Sequence, residues 1–251
     1  MLERRGLPEQ QRNHNNDIDH GVIHNLADHC ETATTTSTKP DPIASTSSTS
    51  MSTTTRAPDA PIVETTIGPP AGTTWAVVGI AHDDVLNVRI GPGARAPIVE
   101  TLDPTSDGLV ATGQAGIVDR RTIWWEVATD TGQGWVAAPY LAGRGSTDDV
   151  TASVIAASEH GWPTAETITS LAMSVAEIRG ADRVVVVAAP SDEGLHAEIV
   201  LDLFVDYDDA LRGERLLVVG QRSEPGGELA LFVVESTVLC WRDVDTDGLC
   251  V

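Results

Sequence analysis

The chain has 251 residues, and 16 Lys and Arg stand against 37 Asp and Glu, so its formal net charge is −21. That balance argues against a nucleic-acid binder, because phosphate recognition needs a basic face, and against docking on an anionic lipid surface. No run approaches the roughly 18 apolar residues of a membrane span. The length suits one large domain or two small ones.

Residues 1–74 hold 5 basic and 9 acidic residues. Within them, positions 32–55 carry 16 Ser or Thr among 24, and Pro follows at 40, 42, 58, 61, 69 and 70. Such a stretch has too little apolar surface to offset the entropy of ordering it, so residues 1–74 are expected to be a disordered His/Asn-rich tail and a Ser/Thr/Pro tether. Tethers of this composition are typical stalks of exported proteins. The first 31 residues do not read as a signal peptide, since Asn, Asp and His follow Arg4 and Arg5 where an apolar segment is needed. Export would then require a start or a route that this chain does not display.

Residues 75–145 alternate strand-like pieces with Gly/Pro turns. Trp75–Ile80 is apolar and β-branched. Leu86, Val88 and Ile90 share one face of the next piece, which Gly91-Pro92-Gly93 ends. Ile98–Leu102 and Leu109–Gln114 follow, then Thr122–Thr129 and Gly134–Val136 around the turn Asp130-Thr131-Gly132-Gln133. Five or six short strands in so few residues predict a small barrel, because short strands must close to hide their edges. Strand parity in WWEV puts Trp125 and Val127 on one face and Trp124 and Glu126 on the other. With Trp125 and Val127 in the core, Trp124 is expected on the outer surface, suited to stack on a sugar ring or a peptide.

The pieces LNVRIGPG, PIVETL, WWEV and GWVAAPYL, in that order, resemble a bacterial-type SH3-like (Src homology three-like) domain over residues 75–142. Ile90 stands where the family usually has a small polar residue, and Glu100 where it often has Gly. The resemblance implies a non-catalytic barrel of an exported or wall-associated protein that binds peptidoglycan or peptides. Tyr140 lies in the piece that resembles the family's groove-lining turn. The expected ligand surface is therefore Trp124 and Tyr140, with Asn87 and Arg89 on the outward face of the LNVR strand. For Asn87 and Arg89 the competing reading is that they hold the neighbouring loop by hydrogen bonds.

Residues 146–251 carry 6 basic and 20 acidic residues, most of the protein's negative charge. Thr164 reads as an N-cap and Glu166 favours a first helical turn. Ile168, Leu171, Val175 and Ile178 follow at helical spacing, and Gly180 is a natural stop. Strands are then expected at Arg183–Ala189, Ala197–Val205, Arg215–Gln221, Leu229–Glu235 and Thr237–Trp241, linked by turns at 191–194 and 224–227. The expectation is an acidic α+β domain over 150–251, one main helix on an antiparallel sheet. The whole chain thus reads as multidomain: disordered region, SH3-like barrel, α+β domain.

Cys240 and Cys250 bracket CWRDVDTDGLC, two apolar arms around an Asp/Gly turn, and a disulfide hairpin is expected there, with buried thiols as the alternative. Asp243-Val244-Asp245-Thr246-Asp247-Gly248 matches the opening of a calcium loop, but no Glu stands at its twelfth position, and a hairpin tip explains the same letters. His14, His20, His24 and His29, near Cys30, have possible metal spacing in surroundings that argue against an ordered frame. No metal and no cofactor is expected. Glu159-His160 and His196-x-Glu198 place acids beside His, more often surface pairs than catalytic ones. No nucleophile elbow, phosphate loop or H-E-x-x-H occurs, so no enzyme is expected. The leading expectation is an exported or envelope-associated binding protein for cell-wall glycopeptide or a peptide partner. The alternatives are an intracellular interaction module, and a regulator or enzyme with an unrecognised C-terminal cleft.

Overall fold

The computed structural model describes residues 68–118, 121–159, 161–205 and 209–251. The tail, nearly all of the tether, the His cluster and Cys30 lie outside them. The strands are β1 (Thr74–Val77), β2 (Leu86–Arg89), β3 (Ile98–Leu102), β4 (Leu109–Val118), β5 (Thr122–Ala128), β6 (Gln133–Ala137), β7 (Leu141–Asp149), β8 (Thr164–Ala165), β9 (Arg183–Glu193), β10 (His196–Phe204), β11 (Leu211–Gln221) and β12 (Leu229–Cys240). Two short helices, α1 (Thr151–Ala157) and α2 (Ile168–Ile178), interrupt them.

These strands form a single antiparallel sheet in the order β3-β2-β6-β5-β4-β1-β7-β12-β11-β10-β9, with β8 paired to β12. This corrects the expected fold class. A separate small barrel followed by a separate α+β domain is not what the chain builds. Residues 141–145, expected to close the barrel, and 146–149, left between the domains, form one strand, β7, which pairs with β1 on one side and with β12 on the other. The ladder Thr237↔Thr147 and Cys240↔Gly143 carries the sheet through the expected boundary.

Local chemistry accounts for most elements. Leu86 and Val88 are buried while Asn87 and Arg89 are half-buried, the period-two signature of a strand with one apolar face. In β10, Ala197, Ile199, Leu201 and Leu203 point to the helices, where they meet Ile168, Leu171, Ala172 and Val175 of α2. The cap of α2 is Thr167, three residues later than expected: its side chain accepts from Ser170 N at 3.1 Å, whereas Thr164 lies in β8. The two ends of the sheet differ. At β9 the His82 N–H donates to Val186 O at 2.9 Å and Pro190 lacks a donor, so that edge is partly closed. At β3 the apolar Ile98 and Val99 are exposed.

Two cores fill the faces. The first gathers Trp75, Val77, Leu86, Val88, Trp125, Val127 and Val136, and the second is aliphatic, between the two helices and β9–β12. A third small cluster of Val78, Ala142, Phe204 and Leu239 fuses them. Beside it runs a buried polar seam. Asp202 is fully buried and accepts from Arg215 Nε at 2.7 Å and from Gly79 N at 2.8 Å. Arg215 Nη2 also donates to Val77 O at 2.7 Å and Pro104 O at 3.2 Å. Arg212 donates to the carbonyls of Leu141 and Pro139. Charges from β10 and β11 thus satisfy backbone groups of the first region, whose Gly79 N–H in turn satisfies Asp202.

A tryptophan-walled cleft

The expected ligand residues differ in their surroundings. Trp124 is 6% exposed, which corrects the expectation of a bare indole. Its parity is as read, but the outer face of β5 is not solvent. Gly116 and Ala137 are its cross-strand neighbours, small residues that leave room for an indole against the sheet. The Gly91-Pro92-Gly93 turn folds over this face: a Cβ on Gly116 would stand 3.1 Å from Pro92 and 3.3 Å from Trp135. Arg89 Nη1 donates to Ala96 O at 2.6 Å, so this guanidinium ties down the loop before β3. Asn87 is half-buried, opposite Thr101 of β3. Tyr140, at the end of the 3-10 turn Ala138–Tyr140, is 40% exposed.

Three other indoles do converge. Trp75 of β1, Trp125 of β5 and Trp241, just past β12, wall a cleft of about 490 Å³ together with Pro69, Pro70 and Asp243. Trp75 and Trp125 meet edge to face, with ring centroids 4.7 Å apart. The Trp75 indole N–H donates to Thr73 Oγ1 at 2.9 Å, whereas Trp125 Nε1 is buried without a hydrogen-bond partner. Trp241 is the accessible wall, 42% exposed. Its ring is held by Arg212, whose guanidinium carbon lies 4.4 Å from the ring centroid. Burial, then the neighbouring Arg183 charge, push the Arg212 guanidinium down to about 10, against the opposing pull of Asp202.

The far wall is fixed covalently. A disulfide joins Cys240 to Cys250, and Val251 beside it lines the cleft. The intervening turn is built from its own carboxylates: Asp245 Oδ1 accepts from Asp247 N and from Leu249 N, both at 2.9 Å. The Asp/Gly letters that resemble a calcium loop therefore perform a turn. Ser146 N donates to Gly248 O at 2.9 Å and docks this turn on β7.

The two acid–His pairs lie elsewhere. His196 and Glu198 share a hollow of about 110 Å³ with Glu193 and Ser191, and the His196 ring packs against Phe232 with centroids 6.4 Å apart. Glu159 lines a different groove, beside α1 and α2, and His160 lies outside the described residues. Reading the sequence missed the cleft because its walls come from positions 69, 75, 125 and 241. The available signal was composition: six of the ten aromatics are Trp. Among the described residues no helix is long and apolar enough to cross a membrane. No protein family, curated protein or solved structure matches this chain.

Proposed function

We propose that this chain is a non-catalytic binding protein of an extracytoplasmic or cell-envelope compartment, and that the cleft at Trp241 takes a glycopeptide or peptide. The observation that carries the reading is the convergence of three indoles from distant parts of the chain on one concave, disulfide-walled surface. An indole face suits the apolar face of a sugar ring or a proline, and concave apolar sites with few polar groups are ordinary ligand sites. The Cys240–Cys250 bond is compatible with an oxidising compartment. The resemblance of residues 75–142 to bacterial SH3-like domains implies wall or peptide binding and supports the same reading. The ligand surface proposed is the Trp241 cleft, in place of the surface around Trp124.

The test is retention of the full chain on purified peptidoglycan and on immobilised proline-containing peptides. Trp241→Ala is expected to weaken retention roughly tenfold, the size of a central aromatic contact, with Trp124→Phe unchanged. Stacking and hydrogen bonds dominate such a contact, so added salt should matter little. Absence of retention on both supports, or retention indifferent to Trp241→Ala, overturns the assignment.

A further inference from the structure

A second concave surface lies on the helical side. A groove of about 600 Å³ is walled by Glu159, Trp162, Thr164, Ser174 and Glu177. It forms where the C-terminal end of α1 and the last two turns of α2 meet the loop leading to β8. We propose that this groove binds a ligand carrying a primary ammonium on an alkyl stem. The proposal is independent of the Trp241 cleft.

Four observations converge on that chemistry. The first is an exposed indole held in place. Trp162 is 57% exposed, yet its Nε1 donates to Leu231 O at 2.5 Å, so the ring is fixed before any ligand arrives. An indole face attracts a cation and packs an alkyl stem.

The second is hydrogen-bond polarity. The Trp162 N–H is already spent. Thr164 Oγ1 donates to Glu228 Oε1 at 2.9 Å, and Ser174 Oγ donates to Leu171 O at 2.7 Å. Pro163 has no N–H. The Thr164 and Ser174 hydroxyls can now only accept, Ser158 brings a hydroxyl that can donate or accept, and Glu159 and Glu177 are acceptors when ionised. A wall rich in acceptors suits a donor, and an ammonium brings three.

The third is where the carboxylates stand. Glu177 occupies the last turn of α2, at the negative end of the helix dipole, and neither helix has a basic residue in its last turn. An acid there opposes helix stability, and local conflicts of this kind are expected at functional positions. Arg179, the C-cap of α2, holds Glu214 with two bonds of 2.8 Å. The fourth is the wider field: residues 146–251 carry 20 acids against 6 bases, a net negative charge that favours cations around this part of the chain.

The ammonium has two possible sources, a free alkylamine or a lysine side chain of a peptide. The experiment titrates the full-length ¹⁵N-labelled chain with hexylammonium, with a lysine-containing tripeptide and with hexanol, following the indole N–H resonance that Trp162→Phe removes. The expected result is a saturable shift with both amines and none with hexanol. Glu159→Gln and Glu177→Gln each weaken it about threefold, the range of a partly solvated charge pair. Glu224→Gln, a carboxylate of the 224–227 turn that does not line the groove, leaves it unchanged. Tighter binding of the tripeptide assigns a peptide side chain, and equal affinity assigns a free amine. A response to hexanol equal to that of hexylammonium, no saturable shift, insensitivity to both groove variants, or an equal loss in Glu224→Gln overturns the proposal.

Discussion

The two regions of this molecule use tryptophan in opposite ways. In the first region all four indoles are buried, Trp75, Trp124, Trp125 and Trp135 each below 9% exposure. In the second region the main core is aliphatic, and its two indoles, Trp162 and Trp241, stand 57% and 42% exposed. Strand length explains part of the contrast. β1, β2, β3 and β6 have 4 or 5 residues and bring few side chains each, so bulky rings fill their core. β9 to β12 have 9 to 12 residues and two helices to pack against, and aliphatic side chains suffice. Indoles that are not needed for packing are the ones available for ligands, and both sit in the walls of grooves.

The contrast predicts a wide separation in stability effects. Trp125→Ala should cost about 3–5 kcal/mol, as large core aromatics do, whereas Trp162→Ala should stay below about 1 kcal/mol, as surface changes usually do. Urea unfolding followed by circular dichroism reads both. Comparable losses would erase the distinction between packing and exposed indoles.

The seam sharpens the comparison by asking whether the regions are separable at all. Asp202→Ala leaves the buried Arg215 guanidinium without its carboxylate and should cost about 3–5 kcal/mol. Both regions should then melt together in one lowered transition, read by calorimetry. Two transitions, with the first region unaffected, would show that the continuous sheet does not couple them.

The smallest expected effect is acid sensitivity at the β9–β10 turn. Arg222 donates to both carboxylate oxygens of Asp192, at 2.7 and 2.8 Å, and these bonds hold the Asp192 carboxyl below its ordinary value of 3.8. A lowered acid favours folding at pH above that value and loses its contribution as pH falls through its folded value. Asp192→Asn should therefore lower stability at neutral pH slightly and flatten the acid limb below about 3.8. An unchanged acid limb would remove this pair from the account.

Much of the strand pattern was legible because it is written locally. LNVR alternates, and GPG and DTGQ punctuate. The long-range parts were not. Leu141–Asp149 contains two Gly, a Ser and acids and carries no strand pattern, yet it is a central strand. Its glycines answer to neighbours far along the chain: a Cβ on Gly145 would stand 2.4 Å from Gly248 O, and one on Gly143 2.7 Å from Arg242 O. Asp202 alternates outward from the helix face, as a surface acid would, and becomes buried only because the first region packs on it. Trp124 failed in the same way: the pleat gives its face, while the Pro92 turn decides whether that face meets water. The cleft needed four distant segments in register, which no local pattern encodes.

The edge-to-face contact of Trp75 and Trp125 has a consequence for observing this protein. Two indoles whose centroids lie 4.7 Å apart, with ring planes at 63°, couple their electronic transitions. Held in one fixed arrangement, such a pair is expected to add a paired positive and negative band to the ultraviolet dichroism. That signature belongs to the wall of the cleft and exists only while β1 and β5 are assembled. The protein therefore carries an intrinsic optical gauge at the place where a ligand is proposed to enter.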